Sequence, residues 1–408
     1  MAQRPANEEV SEHREERVIT DELLALARSR IGAELPVHAP YNEEASADGI
    51  RHFAHGMGDD NPIYCDAEYA VKTRWGKIMA PPVFYRTMGI SPRKERTQEE
   101  RERARDPLSG IHSWYSGDAI HFLQPIYSGD RLTARRFRSD YIEKRSEFAG
   151  RIVIEVIRTE YWNQHGDKVV VSDQKTIRGG RQQRWGERKK YADIARQTYS
   201  PEDIRRVDAE YRREERRGAT PRYWEEVAVG DEIVPVVKGP LTATDIMNWN
   251  MGYGIAMQFH GAHRLAYQWR EKHPRAYIPN SSGIPDLIEA VHWDDDFAQK
   301  TGNPMAYDYG AQRIAWLAHG ITNWMGDEGW LHTLDCQIRL FGYHGDTVRV
   351  KGRVSGKRVQ DGEHVVEMDV WAEDQRDRMT ALGYVTVLLP SREHGPVTLP
   401  SKLAKLEL

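Results

Sequence analysis

The chain contains 408 residues, more than a single hydrophobic core usually fills, so two or more cores are expected. Its 39% hydrophobic and 29% charged residues are typical of a folded globular protein and exclude a collagen-like or disordered chain. The 58 basic and 62 acidic residues give a net charge of -4, so no strong positive field attracts nucleic acid. No run approaches the roughly 18 consecutive apolar residues that a membrane-spanning helix needs.

The amino-terminal stretch and the two cysteines indicate the compartment. Residues 1–24 have no apolar segment of the kind that directs export, so we expect a cytoplasmic chain. Cys65 and Cys336 are too few for a disulfide framework, and they form no CxxC or Cys/His zinc pattern. Phosphate-binding loops and the GxSxG motif are also lacking. We therefore expect neither a metal nor a redox cofactor.

The first half begins the series of predicted elements. Residues 93–107 form a mixed-charge run with almost no apolar side chain, which predicts a solvated loop or helical excursion. Strands are predicted afterwards at 130–138, 150–162 and 168–177. A second charged stretch at 183–217 is predicted to be a linker, in which Ser200 and Pro201 supply the start of a helix.

The second half contains a helix that is apolar on most sides, predicted at 311–324. Alternation of apolar and polar residues then predicts strands at 346–353, 364–372 and 379–389. A helix buried against a following antiparallel sheet is an α+β unit, and the chain is predicted to contain two of them.

The two halves repeat one another. In the first half, four residues stand at offsets 0, +2, +6 and +12, namely Tyr64, Asp66, Ala70 and Gly76. In the second half, the matching residues stand at offsets 0, +2, +6 and +10, namely His292, Asp294, Ala298 and Gly302. Residues 249–252 also match residues 53–56, but about 32 additional residues separate them from their motif. This difference predicts an insertion at about 255–288.

Residues 53–64, with the sequence FAHGMGDDNPIY, resemble the MaoC-like family of type 2 enoyl-thioester hydratases and dehydratases, whose signature is Gly-Asp-x-Asn-Pro-Ile-His. The resemblance implies a hot-dog fold, in which an antiparallel sheet wraps a long central helix. Two tandem hot-dog domains, at 18–182 and 220–395, would form an internal pseudo-dimer joined by a charged helical linker at 183–219. Assembly of such pseudo-dimers into a homo-oligomer is left open.

The resemblance also implies a reaction. Members of the family add water across the C2–C3 double bond of a 2-enoyl-CoA, or remove it from a 3-hydroxyacyl-CoA, and need no cofactor beyond the CoA that carries the substrate. A carboxylate and an imidazole hold the water and move its protons. Backbone N–H groups at the start of the central helix can stabilise the charge that develops on the thioester oxygen.

The first half retains the signature only in part. Asp59 and Asn61 stand at the family's positions, but Tyr64 replaces the imidazole, and a phenol does not readily shuttle protons near neutral pH. We therefore expect a degenerate copy in which Asp59, Asn61 and Tyr64 help to accept the acyl group. The alternative is a plain turn, since Asp and Asn readily cap their own backbone.

The second half carries the imidazole. His292 stands in its register and is expected to be the principal proton-transfer residue. Asp286 and Glu289 are the candidate carboxylates, with Asp286 preferred although it lies one place off the family's register. Gly310, just after Tyr309 and at the start of the predicted helix, is expected to supply the oxyanion donor.

Other functions remain open at this point. A hot-dog thioesterase would use an acid to activate water, and a non-catalytic acyl-CoA-binding or scaffolding subunit would use neither group. The aromatic-rich insertion favours a bulky acyl group. His260 and His263 within it lack a nearby third ligand, so a metal site is not expected.

Overall fold

The computed structural model describes residues 18–93, 95–146, 150–179, 194–254, 257 and 260–400. Its helices are α1 (Asp21–Ser29), α2 (Ala47–Met57), α3 (Ala67–Ala70), α4 (Gln98–Ala104), α5 (Pro201–Tyr211), α6 (Ala243–Tyr253), α7 (Arg264–Lys272), α8 (Asp295–Lys300) and α9 (Gly310–Met325). Its strands are β1 (Glu34–Leu35), β2 (His112–Phe122), β3 (Thr133–Ser146), β4 (Gly150–Trp162), β5 (Lys168–Gly179), β6 (Val236–Lys238), β7 (Tyr277–Pro279), β8 (Pro285–Leu287), β9 (Trp330–Ile338), β10 (Val348–Gln360), β11 (Glu363–Asp374) and β12 (Met379–Leu388). Parts of the predicted linker, 183–193, and of the insertion, 255–256 and 258–259, lie outside the described residues.

One antiparallel sheet runs through both halves. Among the described residues it contains ten strands, in the order β1-β3-β4-β5-β2-β9-β12-β11-β10-β6. The halves meet where β2 pairs with β9, with Asp118 opposite Cys336 and Ile120 opposite Leu334. Two hot-dog sheets joined edge to edge form the internal pseudo-dimer, so the prediction of an α+β fold with two tandem hot-dog units is confirmed.

Two equivalent helices, α2 and α6, cross between the halves. A Cβ atom on Gly56 would lie 2.7 Å from a backbone oxygen of α6, and one on Gly252 would lie 2.5 Å from a backbone oxygen of α2. Phe53 and Trp249 pack beside this crossing with ring centroids 5.5 Å apart. The four residues are the ones that the repeat aligns, so the sequence match corresponds to a pseudo-twofold axis.

The central helix of the second half is α9. The apolar residues that predicted it are all buried, namely Ala311, Ile314, Ala315, Ala318 and Ile321. The helix packs against strands of both halves, including β2, β9 and β10. Because α9 is buried on all sides, each polar side chain on it needs a hydrogen-bond partner. The few polar residues of α9 are therefore candidates for a functional role.

The first half differs at the equivalent place. A six-residue 3₁₀ turn, Pro82–Thr87, follows the first-half motif, where the first of the two predicted α+β units would have its helix. Pro81 and Pro82 carry no N–H, so they cannot support a helix interior, and the chain becomes extended at Met88. The long central helix of the described chain therefore belongs to the second half.

Charged helices flank the cores. The predicted excursion contains α4, which begins with a capping box between Thr97 and Glu100 and has no buried residue. The linker helix α5 starts after the N-cap Ser200 and ends at Tyr211, before the predicted end at residue 217. Its Glu210 pairs with Arg349 of β10, which ties the linker to the second half.

The insertion contains α7, which has no buried residue, and the hairpin of β7 and β8. A short 3₁₀ turn, Ile288–His292, then leads back to the motif. No helix within the described part of the chain is long and apolar enough to cross a membrane.

Candidate active site

His292 lies against the start of α9. Its Nδ1 is 2.8 Å from the backbone oxygen of Tyr307, so Nδ1 carries the hydrogen and Nε2 is left as the acceptor. Its ring stacks on Tyr309 with centroids 3.7 Å apart and an angle of 26°. Burial lowers the pKa of His292 to about 4, which keeps the imidazole neutral near neutral pH.

Glu289 reaches the same tyrosine. Its carboxyl group hydrogen-bonds with the Tyr309 hydroxyl, and burial raises the pKa of Glu289. The side-chain amide of Asn250 also donates to this hydroxyl, over 3.4 Å. The structure thus brings His292, Tyr309 and Glu289 together, with the acid connected to the imidazole through the tyrosine.

Asp286 lies elsewhere. It pairs with Ile278 in the insertion hairpin, and its carboxylate accepts from the N–H of the adjacent Leu287 at 2.8 Å. No hydrogen bond or ion pair within the described residues joins it to His292. Of the two candidate acids, Glu289 is therefore the one that hydrogen-bonds with the tyrosine on which His292 stacks, whereas the preferred Asp286 is bonded within its hairpin.

Gly310 is the first residue of α9, and Tyr309 is its N-cap. A Cβ atom at this position would lie 2.7 Å from Cδ1 of Tyr115 in β2. Real Cβ atoms do not approach this closely, so the glycine allows a side chain of the first half to cover the helix start. The N–H groups of the first turn lack intrahelical partners, as an oxyanion donor requires.

The first-half motif lies on the other side of the half–half interface. Asp59 is 1% exposed. Its Oδ1 accepts from the N–H of Asn61 at 3.0 Å, whereas its Oδ2 has no hydrogen-bond partner in the described chain. Burial raises the pKa of Asp59 from 3.8 to about 6. An ionised carboxylate here is therefore a stronger base than an exposed one.

Asn61 and Tyr64 have structural partners. Asn61 donates to Asp327 at 2.8 Å, and its side-chain oxygen accepts from the N–H of Ile63 at 3.1 Å. Tyr64 is buried and hydrogen-bonds with Thr322 of α9, and burial raises its pKa. These contacts fasten the motif loop to the end of α9, as the alternative of a capped turn requires.

His319 of α9 faces Asp59. Its Nε2 lies 3.7 Å from Oδ1 of Asp59. Within the described residues no other histidine nitrogen lies within 4.0 Å of a carboxylate oxygen. Its Nδ1 lies 2.7 Å from Nζ of Lys238. Burial, followed by the charge of Lys238, holds the pKa of His319 well below its usual value. The imidazole is neutral beside an acid.

Sequence reasoning missed His319 because α9 was treated as core. One signal was present, since His319 and Asn323 are four residues apart and therefore share a face of an otherwise apolar helix. In the structure the Asn323 amide lies 3.0 Å from Nε2 of His319.

A cavity of about 720 Å³ opens beside this cluster, between the halves. Its lining includes Asp59 from the first half and Lys238, Gln312, Trp316 and Asn323 from the second. The volume is in the usual range of small-molecule sites.

Comparison with known sequences places relatives along the first half. Residues 29–172 match the family model described as the FAS1-like dehydratase domain region. A UPF0336 protein of Streptomyces avermitilis is 31% identical over 159 residues, covering 38% of this chain and 95% of the relative. A UPF0336 protein of Streptomyces coelicolor is 31% identical over 155 residues, with the same coverage.

Solved structures resemble the chain over both halves. A MaoC-like dehydratase superposes with a TM-score of 0.59 at 16% identity, covering 88% of this chain and 99% of that one. A MaoC domain protein dehydratase from Chloroflexus aurantiacus gives 0.51 at 11% identity, covering 89% and 96%. At these identities the resemblance concerns the fold.

Proposed function

Because this chain belongs to the UPF0336 family through its first half and has the tandem hot-dog fold of MaoC-like dehydratases, we propose that it is a hydro-lyase acting on CoA thioesters. It hydrates a 2-enoyl-CoA or dehydrates a 3-hydroxyacyl-CoA. CoA is the carrier of the substrate.

One observation carries this proposal: an imidazole, an acid and a helix start converge at Tyr309. His292 stacks on Tyr309, Glu289 hydrogen-bonds with its hydroxyl, and Gly310 begins α9 beside it. The chemistry of hydration needs a base for water, an acid for C2 and a donor for the thioester oxygen. This set of groups supplies each of them.

We assign the roles as follows. Neutral His292 accepts a proton from water at Nε2 while the water oxygen bonds to C3. Glu289 gives a proton to C2, a role that a raised pKa favours, and recovers it from His292 after the step; the first N–H groups of α9 bind the thioester oxygen. In dehydration the same transfers run backwards, with the hydroxyl leaving C3 as water.

The insertion favours a bulky acyl group. Its side chains Leu265, Tyr267 and Ile284 are 62%, 52% and 58% exposed, so an acyl group can contact them. A flap of this composition can cover an extended apolar or aromatic acyl chain while the thioester lies at α9.

The test uses the purified full chain and a series of 2-enoyl-CoAs that includes crotonyl-CoA and an aromatic enoyl-CoA. Loss of the enoyl absorbance without release of free thiol supports hydration, whereas thiol release identifies the thioesterase. If no substrate reacts but CoA esters raise the melting temperature, the chain is a binding subunit and the proposal fails.

A matched pair of variants locates the chemistry. His292→Gln should lower kcat on the best substrate by about 100-fold or more, the usual contribution of a positioned acid or base. His332→Gln removes another partly buried histidine, in β9, which contacts neither Tyr309 nor Asp59, and it should keep the activity. Equal rates for His292→Gln and the parent would contradict the assignment.

A further inference from the structure

The first-half motif has its aspartate but not its histidine, and the structure brings a histidine to that aspartate from the other half. Asp59 follows Gly58, the C-cap of α2, whereas His319 belongs to α9, and the two side chains are 3.7 Å apart. We propose that Asp59 and His319 form a second acid–base centre, which binds a short-chain 3-hydroxyacyl or 2-enoyl thioester in the cavity between the halves. The substrate class rests on the proposed function.

Unpartnered acceptors in the cavity wall indicate what the site binds. Oδ2 of Asp59 and Oε1 of Gln312 are buried and have no hydrogen-bond partner in the described chain. Both residues line the 720 Å³ cavity. Buried polar atoms are normally hydrogen-bonded, so two such acceptors in one cavity wall favour a ligand that donates hydrogen bonds. A 3-hydroxyacyl thioester of CoA offers a hydroxyl group and the amide N–H groups of its pantetheine arm.

Lys238 fixes the tautomer of His319. Its ammonium group lies 2.8 Å from the backbone oxygen of Met57, 3.3 Å from that of Gly58 and 2.7 Å from Nδ1 of His319. A lysine ammonium is a donor with three hydrogens and no acceptor, so Nδ1 must accept. The hydrogen of the imidazole then lies on Nε2, which is 3.7 Å from Oδ1 of Asp59. Lys238 is a positioning residue in this sense.

Gly58 makes room for this arrangement. It is the left-handed cap of α2, with φ 74°, and a Cβ atom on it would lie 3.2 Å from Nζ of Lys238. Both the backbone conformation and the nearby ammonium group favour glycine. The backbone just before Asp59 thus leaves room for Lys238 of the other half.

The proton transfers balance with these three groups. Asp59 accepts a proton from water as the water oxygen bonds to C3, and His319 gives the hydrogen on Nε2 to C2. Lys238 passes a proton to Nδ1 in the same step, so that the imidazole remains neutral. The cycle closes when the proton on Asp59 passes to Nε2 of His319 and Nδ1 returns its proton to Lys238, which restores the starting tautomer. No oxidant, reductant or metal is consumed.

The cavity favours a short acyl group. The groups that line it beside Asp59 are mainly polar, including Asn248, Gln312 and Asn323, with Trp316 as an apolar contact. A long aliphatic chain would desolvate these groups without satisfying them. The site therefore differs in preference from the centre at His292, for which a bulky acyl group is proposed.

The experiment measures hydration of crotonyl-CoA by the full chain and two variants. Asp59→Asn and His319→Gln should each lower kcat by about 100-fold or more with a smaller change in KM. The control His332→Gln should keep both constants. If the melting temperature reveals that His319→Gln does not fold, the nearly isosteric Asp59→Asn alone tests the second centre.

The pH profile separates a catalytic role from a structural one. The pKa of Asp59 is raised to about 6 and that of Lys238 is lowered to about 8, in both cases mainly by burial. Because Asp59 must be ionised and Lys238 protonated, kcat should rise through the first value and fall through the second. Lys238→Met should remove the alkaline limb. If Lys238 only ties the halves together, residual activity will retain that limb, and the relay is wrong.

The two proposals fail differently. If the parent protein hydrates no enoyl-CoA, the proposed function is wrong, and so is the second centre, which rests on it. A parent protein that is active on crotonyl-CoA, together with Asp59→Asn and His319→Gln at the full rate, contradicts the second centre alone.

Discussion

Gly56 and Gly252 occupy reciprocal positions in the crossing of α2 and α6. A Cβ atom on Gly56 would lie 2.7 Å from the backbone oxygen of Asn248, and one on Gly252 would lie 2.5 Å from that of His52. Each glycine therefore meets the residue four places before its counterpart. This reciprocity is the local form of the pseudo-twofold relation, and it sets how closely the halves can approach.

Gly252→Ala should destabilise the protein although alanine is the better helix former. The gain in helix propensity is about 1 kcal/mol, whereas forcing a methyl group against buried backbone typically costs about 1–3 kcal/mol and more where no side chain can move. Denaturant unfolding should give a lower free energy of unfolding for the variant. The control is Met247→Ala, in the same helix but 59% exposed, for which little change is expected. A more stable Gly252→Ala protein would contradict the close crossing.

Asp59→Asn should stabilise the fold in a pH-dependent way. The pKa of Asp59 in the folded state, about 6, lies above the ordinary value of 3.8, so the folded protein holds this proton more tightly than the unfolded chain. Stability from this group is therefore complete below about pH 4 and is lost as the pH rises through about 6, by about 3 kcal/mol in total. Asparagine cannot ionise, and the variant escapes this loss.

Urea unfolding at about pH 4 and about pH 7 measures the effect. The advantage of Asp59→Asn over the parent should grow between these two conditions. Asp60→Asn serves as the control, because Asp60 is an exposed neighbour that pairs with Arg216. An advantage that shrinks as the pH rises would show that the buried carboxylate is not disfavoured in its ionised form.

Gly310→Ala and Tyr115→Ala should be coupled. Alanine at residue 310 would meet the Tyr115 ring at 2.7 Å, and this ring is held in place because its hydroxyl donates to Asp118 at 2.8 Å. The glycine substitution alone should cost about 1–3 kcal/mol of stability. In the double variant the clash is absent, so the combined loss should be smaller than the sum of the single losses. If the losses in free energy of unfolding of the two single variants simply add in the double variant, Tyr115 does not contact the start of α9.

Glu289→Gln should affect catalysis more than Asp286→Asn. Glu289 hydrogen-bonds with Tyr309, against which His292 stacks, whereas Asp286 is bonded within its hairpin. We expect kcat on the best enoyl-CoA to fall by about 100-fold for Glu289→Gln and far less for Asp286→Asn. Steady-state kinetics of both variants decide the point, and the opposite order would restore Asp286 as the partner of His292.

Local patterns predicted much of the fold. Period-two alternation located the first part of β10 and most of β11, and the repeat extended the pattern to β4. The apolar stripe at 311–324 located α9. These elements depend on which faces are buried. The repeat aligned Phe53 with Trp249, and in the structure the two rings meet, because equivalent positions lie together at a pseudo-twofold axis. The missing first-half helix was not predicted, although Pro81 and Pro82 were a reason to expect a turn.

The site was predicted less completely, because it depends on contacts between the halves. His292, Glu289, Tyr309 and Gly310 lie within one motif region, and sequence register could place them together. Asp59 and His319 are far apart in sequence and meet only when β2 and β9 align the two sheets. Spacing within one segment carries no information about such a pair.

The junction between β2 and β9 also bears on how the two halves could change over time. In a homodimer of hot-dog chains, every substitution appears in both copies, so the two sites can change only together. Here both halves of the sheet belong to a single polypeptide, so a substitution in one copy of the motif leaves the other copy unchanged. Tyr64 could replace an imidazole on one side while an insertion grew on the other, and neither change was imposed on its counterpart. Covalent fusion thus turns a symmetric assembly into one whose two sides are free to specialise.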